Sequence, residues 1–135
     1  MIFRRAPVAL VFMAVCAVFW TSRADAQSVK MAVLQGLDKV TARISTIRAP
    51  IGEGVKFGTL VVTARTCSKR PPEETPETTA FLEIVDDKPG ESPRLVFSGW
   101  MFASSPALSA MEHAVYDLWV IDCRIAAGSG GSGNE

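Results

Sequence analysis

The chain has 135 residues with 14 Lys and Arg, 14 Asp and Glu and a single His, and 48% of it is hydrophobic. No basic excess is available to track nucleic-acid phosphates, and any mechanism that needs an imidazole base must run through one residue, His113. The hydrophobic fraction is inflated by one block near the start, so class is read from the residues after that block.

Arg4 and Arg5 precede an apolar run from Val8 to Trp20, and Ala24-Asp25-Ala26 places small side chains where signal peptidase needs them. That order is the pattern of a secretory signal over residues 1–26, cleaved after Ala26 to leave Gln27 first, and it predicts export to the periplasm. The run is shorter than the ~18–20 apolar residues that span a bilayer, so no membrane span is expected after cleavage. Cys16 lies inside the run and follows Val15, which does not suit a lipoprotein. Taking Arg4, Arg5, Arg23 and Asp25 away leaves 11 cations and 13 anions, a net charge of about −2. The one basic cluster, Lys69-Arg70, is followed at once by Glu73, Glu74 and Glu77, so nucleic acid is not expected as a partner.

Cleavage leaves two cysteines, Cys67 and Cys123. In an exported chain they suggest one disulfide, which at this spacing is worth about 4 kcal/mol on the chain-entropy model. Zinc held by both thiolates with His113 is the competing reading, but neither Cys belongs to the short paired motif of zinc sites. No metal and no cofactor is assigned.

Period-two segments dominate the rest. Ala32 to Leu37 and Ala42 to Ala49 read as strands, and Pro50-Ile51-Gly52-Glu53-Gly54 breaks the chain after them. Val55 to Phe57, Gly58 and Thr59 to Cys67 read as a hairpin-like return, one strand with a bulge or kink at Gly58. Further strands are expected at Ala80 to Val85, Arg94 to Phe102 and Tyr116 to Ile125. On the last of these, strict alternation puts Trp119, Ile121, Cys123 and Ile125 on one face, with Trp119 in the core beside the disulfide. Ser105 to Met111 has an N-cap Ser, Pro at the first helical position and then good helix formers, which predicts about two helical turns with His113 closing the end. The sum is an all-β domain over 27–125, a small sandwich or barrel of about six or seven strands with one short helix and one disulfide. Residues 126–135 form a tail, Gly and Ser without an apolar anchor from Gly128 onward, and it is expected to be disordered.

Several of these segments together resemble a known family. The residues are Gly36-Leu37-Asp38-Lys39-Val40-Thr41, Phe57-Gly58-Thr59-Leu60, the stretch Cys67 to Thr78, and the stretch Phe97 to Leu108 continuing through Tyr116 to Cys123. They look like a short exported family of alphaproteobacteria, domain of unknown function 2155, over roughly residues 34 to 124. The resemblance implies a periplasmic location and carries no catalytic residue, cofactor or substrate.

The sharpest enzymatic reading is a hydrolase with Ser104 or Ser105 as nucleophile, His113 as base and Asp117 or Asp122 as orienter. Against it stand the missing G-x-S-x-G elbow and the use of Ser105 as a cap. Asp86-Asp87 and Glu73-Glu74 are neighbours in polar loops rather than a separated carboxylate pair, and the Gly52 to Gly58 stretch fails the dinucleotide fingerprint at Phe57. Binding fits better. The loop Ser68 to Thr79 carries Pro71, Pro72 and Pro76 with both charge signs, so it is extended and low in conformational entropy, a form that partner proteins recognise. Five of the seven aromatics after residue 26 fall within Phe97, Trp100, Phe102, Tyr116 and Trp119, where core packing is favoured over glycan or peptide contact. The expected role is non-catalytic, a binding or envelope-assembly component whose partner is a periplasmic or envelope protein, with a glycan as the alternative. The candidate contact residues are Lys69, Arg70, Pro71, Pro72, Glu73, Glu74, Trp100, Ser104, Ser105, His113 and Tyr116, with the Ser68 to Thr79 loop and the Phe102 to His113 segment expected together at one end of the domain.

Overall fold

Alternation of buried and partly exposed side chains is strictest over Thr78–Asp86, within residues 28–127, the residues that the computed structural model describes. The signal over 1–26 and the Gly/Ser segment from Gly128 lie outside them. Seven strands form: β1 (Ser28–Asp38), β2 (Arg43–Pro50), β3 (Gly54–Phe57), β4 (Leu60–Lys69), β5 (Thr78–Asp86), β6 (Arg94–Phe102) and β7 (Tyr116–Ala127). They make two antiparallel sheets, one in the order β2-β1-β7 and the other β3-β4-β5-β6. Packed face to face, these sheets form the all-β sandwich read from the sequence. Leu34, Val120, Leu60, Val62, Leu82 and Ile84 fill the space between them, each fully buried, and a side chain of that size contributes roughly 1.5–3 kcal/mol when taken out of water. Among the described residues no helix is long and apolar enough to cross a membrane.

The two sheets are tied covalently by Cys67 on β4 and Cys123 on β7, whose Cα atoms are 6.0 Å apart. How both cysteines come to face inward is a matter of register. On β4 the inward residues are Leu60, Val62 and Ala64, but Arg65 has no partner on β5, and the pleat resets so that Cys67 rather than Thr66 points into the core. On β7 the inward residues are Leu118 and Val120, Ile121 is left without a partner on β1, and Cys123 then faces the core opposite Ala32. Each cysteine sits two residues beyond a β-bulge, an extra residue that shifts every later side chain to the other face. For the same reason Trp119 does not share a face with Cys123. It pairs with Gln35 on the outer surface of the three-stranded sheet and is half-buried, which corrects the expectation that it packs beside the disulfide.

Gly58 is likewise not a kink within a strand. Phe57 pairs with Leu60, and Gly58-Thr59 form a two-residue hairpin loop with Gly58 at φ +57°, the conformation such tight turns demand. A Cβ there would also strike the Tyr116 ring. Gly36 serves a related purpose, since a Cβ on it would lie 2.7 Å from the Phe57 ring that packs over it. The β1–β2 turn ends at Ala42, at φ +55°, so the second strand begins at Arg43.

The predicted helix is the largest departure. Only Pro106–Leu108 form a single 3-10 turn, and Ser105 makes no side-chain cap. The segment from Ala103 to Val115 leaves β6 at the level of Thr78, where Ala103 N–H donates to Thr78 C=O at 2.8 Å, and rejoins the sheet at the far end, where Lys39 N–H donates to Val115 C=O at 2.8 Å. It must therefore retrace the length of β5, about 26 Å at ~3.3 Å per residue. The segment covers that span in an extended course with one tight turn, and Met111 from it is buried in the core.

Candidate functional site

The β4–β5 hairpin loop, residues 70–77, is held at its neck by Arg70 N–H donating to Glu77 C=O at 3.0 Å and turned at its tip by Glu74 N–H donating to Pro71 C=O at 3.1 Å. It is shorter than the Ser68 to Thr79 loop read from the sequence because both strands extend into that stretch. Glu77 then fastens the chain after β6. Its Oε1 accepts from Thr78 N–H at 3.0 Å and Ser104 N–H at 3.1 Å, and its Oε2 accepts from the Ser104 hydroxyl. The hydrogen bond from the Ser104 hydroxyl, followed by that from its amide, holds the Glu77 carboxyl below its ordinary range.

Across from the loop lies the bulged part of β7. Asp122 Oδ1 accepts from Lys69 Nζ at 2.8 Å and Cys123 N–H at 2.9 Å, and Oδ2 accepts from Arg124 Nε at 3.0 Å. The Lys69 hydrogen bond is the main cause of a lowered Asp122 pKa, outweighing burial, which raises it. Between the two walls is a cleft of about 660 Å³, bordered by Pro71, Pro72 and Pro76 on the loop side, Ala103 and Ser104 at the floor, and Ile121, Asp122 and Arg124 on β7. Ile121 stands 39% exposed there because the bulge has taken it out of the ladder.

The structure gathers only part of the expected contact set in this cleft: Lys69, Arg70, Pro71, Pro72, Glu74 and Ser104 line it. Glu73 is exposed in the same loop and Ser105 follows Ser104 without lining the cleft. Trp100 lies elsewhere, on the outer face of the four-stranded sheet, 44% exposed with its ring edge-on to Phe81 at 5.5 Å. His113 and Tyr116 are at the opposite end of the sandwich, so the expectation that the Ser68 to Thr79 loop and the whole Phe102 to His113 segment share one end is corrected. The reason is the extended course of 103–115, which carries His113 away from Ser104 instead of folding back as a helix.

At that far end His113 is enclosed, its side chain 6% exposed and that of Asp86 3%. Its Nδ1 accepts from Val115 N–H at 3.1 Å and Tyr116 N–H at 3.2 Å, which leaves the proton on Nε2, donated to Asp86 Oδ2 at 3.0 Å. Thr59 Oγ1 donates to the other oxygen of Asp86 at 2.6 Å. Burial pushes the Asp86 carboxyl up, but the bonds from His113 and Thr59 and the charge of Lys88 outweigh it and bring the pKa down to about 2. The Tyr116 ring stacks on His113 and Phe57 meets Tyr116 edge-on, each at 5.3 Å. Both imidazole nitrogens are thus committed, and neither can take a proton from a hydroxyl. The orienting acid is Asp86, which its sequence context marks only as a loop carboxylate, rather than Asp117 or Asp122. Asp117 pairs instead with Lys39 at 3.0 Å. Neither Ser104, bonded to Glu77, nor Asp122, bonded to Lys69, is placed to complete a hydrolase triad with His113. Both thiols are consumed by the disulfide, so they supply no thiolate to zinc.

Residues 32–123 match the model of a family described as "Uncharacterized protein conserved in bacteria (DUF2155)". The chain belongs to this family. Among curated relatives, "Uncharacterized protein RP359" of Rickettsia prowazekii (strain Madrid E) is 33% identical over 87 residues, 64% of this chain and 56% of that protein. The chain therefore spans little more than half the length of that relative. No solved structure matches it. In DUF2155 terms the matched region runs from the start of the buried part of β1 to the second cysteine, and so takes in the Asp86–His113 pair and every residue that lines the cleft except Arg124.

Proposed function

We propose that this DUF2155 domain is an exported, non-catalytic binding protein of the cell envelope that receives an extended segment of a partner protein in the cleft between the proline-rich loop and β7. The cleft itself carries the reading: about 660 Å³ of concave surface, walled by three prolines and by a bulged strand rooted two residues from a disulfide. Proline lowers the entropy that a loop loses on binding, and the bond fixes the opposite wall, so little ordering is required when a partner arrives. The enclosed His113 speaks against a hydrolytic role, because its two nitrogens are used within the fold. The signal pattern ahead of Gln27 and the disulfide, which forms in oxidising compartments, both favour the periplasm.

Photo-crosslinking in the native host tests this. A crosslinkable side chain at Pro72 or Ile121 is expected to give a discrete adduct that disappears when the loop residues Pro71 to Glu74 are replaced by Gly and Ser, whereas the same group at exposed Lys56 gives none. Adducts that persist without the loop, or that form equally from Lys56, would place the binding surface elsewhere.

A further inference from the structure

We infer that the cleft selects acidic, extended peptide segments over neutral or basic ones; the inference rests on the cleft being a peptide site and adds the chemistry of what enters it. Formal charge does not decide the matter, since the lining holds three cations, Lys69, Arg70 and Arg124, and three acids, Glu74, Glu77 and Asp122. Hydrogen-bonding capacity does. Glu77 and Asp122 have both oxygens filled by partners inside the protein. Their carboxyls are held ionised by those same bonds, so neither needs a donor from a ligand.

The cations are in the opposite state. Among the described residues Lys69 gives one of its three N–H groups, to Asp122, and Arg124 gives one of its five, also to Asp122. Their side chains remain 58% and 64% exposed. Arg70 approaches Glu74 only at 4.0 Å, too far for a hydrogen bond, and both are more than half exposed. Glu74 is as open as Arg70, but the two carboxylates fixed in the walls are satisfied. The cleft therefore presents more spare donors than open acceptors: Arg70 on the loop, Lys69 at the end of β4 and Arg124 on β7. A ligand that answers it brings carboxylates for those donors and small apolar groups to lie against Pro72 and Ile121. A sugar face would call for an aromatic platform, and the residues that line this cleft include none. An extended peptide rich in Asp or Glu meets both demands.

The test uses the oxidised mature protein from Gln27 onward and fluorescent ten-residue peptides in which Glu alternates with Ala and Val, with Gln or Lys replacing Glu in two companion series, and an oligouronate as an anionic glycan probe. The acidic peptide is expected to bind about tenfold tighter than its Gln analogue, the gap closing as salt is raised. Lys69→Gln with Arg124→Gln should close most of that gap. Because those changes also take two of Asp122's three partners and leave only Cys123 N–H, Arg70→Gln, which touches no buried group, is the second variant and should narrow the gap with the melting temperature unchanged. Equal binding of the acidic and Gln peptides, or preference for the Lys series, overturns the charge selection and leaves the peptide site standing. Oligouronate binding without peptide binding, or no binding of any series, overturns both.

Discussion

At the end of the sandwich that holds Asp86 and His113, each polar atom of the pair has a partner within the protein. At the disulfide end, the same kinds of side chain keep donors turned to solvent. Asp86 is 3% exposed and spends its two oxygens on His113 and Thr59, with Lys88 3.5 Å away. Lys69, Arg70 and Arg124 are each more than half exposed around a concave surface. Among the described residues no buried side-chain polar atom lacks a hydrogen-bond partner. A saturated polar cluster can only hold structure together, because any ligand would have to break a bond already made. An unsaturated one in a cleft has bonding capacity left for a partner. The difference assigns stability to the His113 end, although a ring nitrogen and a carboxylate in contact look more like chemistry at first sight, and it is in keeping with the recognition proposed for the disulfide end.

The strongest way to break this comparison is to remove the covalent tie. Cys67→Ser with Cys123→Ser is expected to lower stability by about 4 kcal/mol in denaturant unfolding, since the bond closes a loop of sequence separation 56. A loss below about 1 kcal/mol would mean that the core alone fixes the cleft's walls, and the role given to the bond would fall.

A smaller effect belongs to the opposite end. The Asp86 pKa is depressed from 3.8 to about 2 in the folded protein, so its contribution is fully present above about pH 4 and is lost as pH falls towards 2. The displacement corresponds to about 2 kcal/mol. Asp86→Asn should therefore reduce stability by about that amount at neutral pH and flatten the fall between pH 4 and pH 2. An unchanged acid limb in urea titrations across that range would show that the pair is not a source of stability.

The smallest expected change in stability sharpens the contrast. Replacing Pro71-Pro72-Glu73-Glu74 by Gly and Ser should lower stability by only about 1 kcal/mol, because these four residues are exposed and the loss of two prolines acts mainly by loosening the unfolded chain, yet it should remove partner capture. A variant that keeps full activity in cells would return the loop to a simple connection.

The segments that carry the family resemblance turn out to be working parts of the far end and the seam. Gly36 makes room for Phe57, Gly58 makes room for Tyr116, and Asp38 accepts from Val40 and Thr41 N–H at 2.9 and 3.2 Å to close the first turn. Lys39 Nζ donates to His113 C=O at 2.7 Å and so ties that turn to the segment before β7. A glycine motif read on the letters alone does not say which ring it shelters, because the ring comes from a strand far away in the chain.

The all-β class, the approximate course of most strands, the cysteine pair and the presence of a proline-rich loop were determined by the sequence itself. Each rests on local physics: period-two alternation, the φ restriction of Pro, the reach of Gly to positive φ, and the fact that two cysteines have one way to pair. Only the tertiary structure decided which face Trp119 and Cys123 occupy, since a bulge at Ile121 changes the phase and a bulge is a property of two paired strands. It also decided that 103–115 runs extended, because tertiary packing, which buries Met111 in the core, overrides the local preference for helix. And it decided that His113 meets Asp86 rather than a serine, because a buried imidazole takes its partners from whatever the packed sheets bring within reach, and burial makes any group left without one costly.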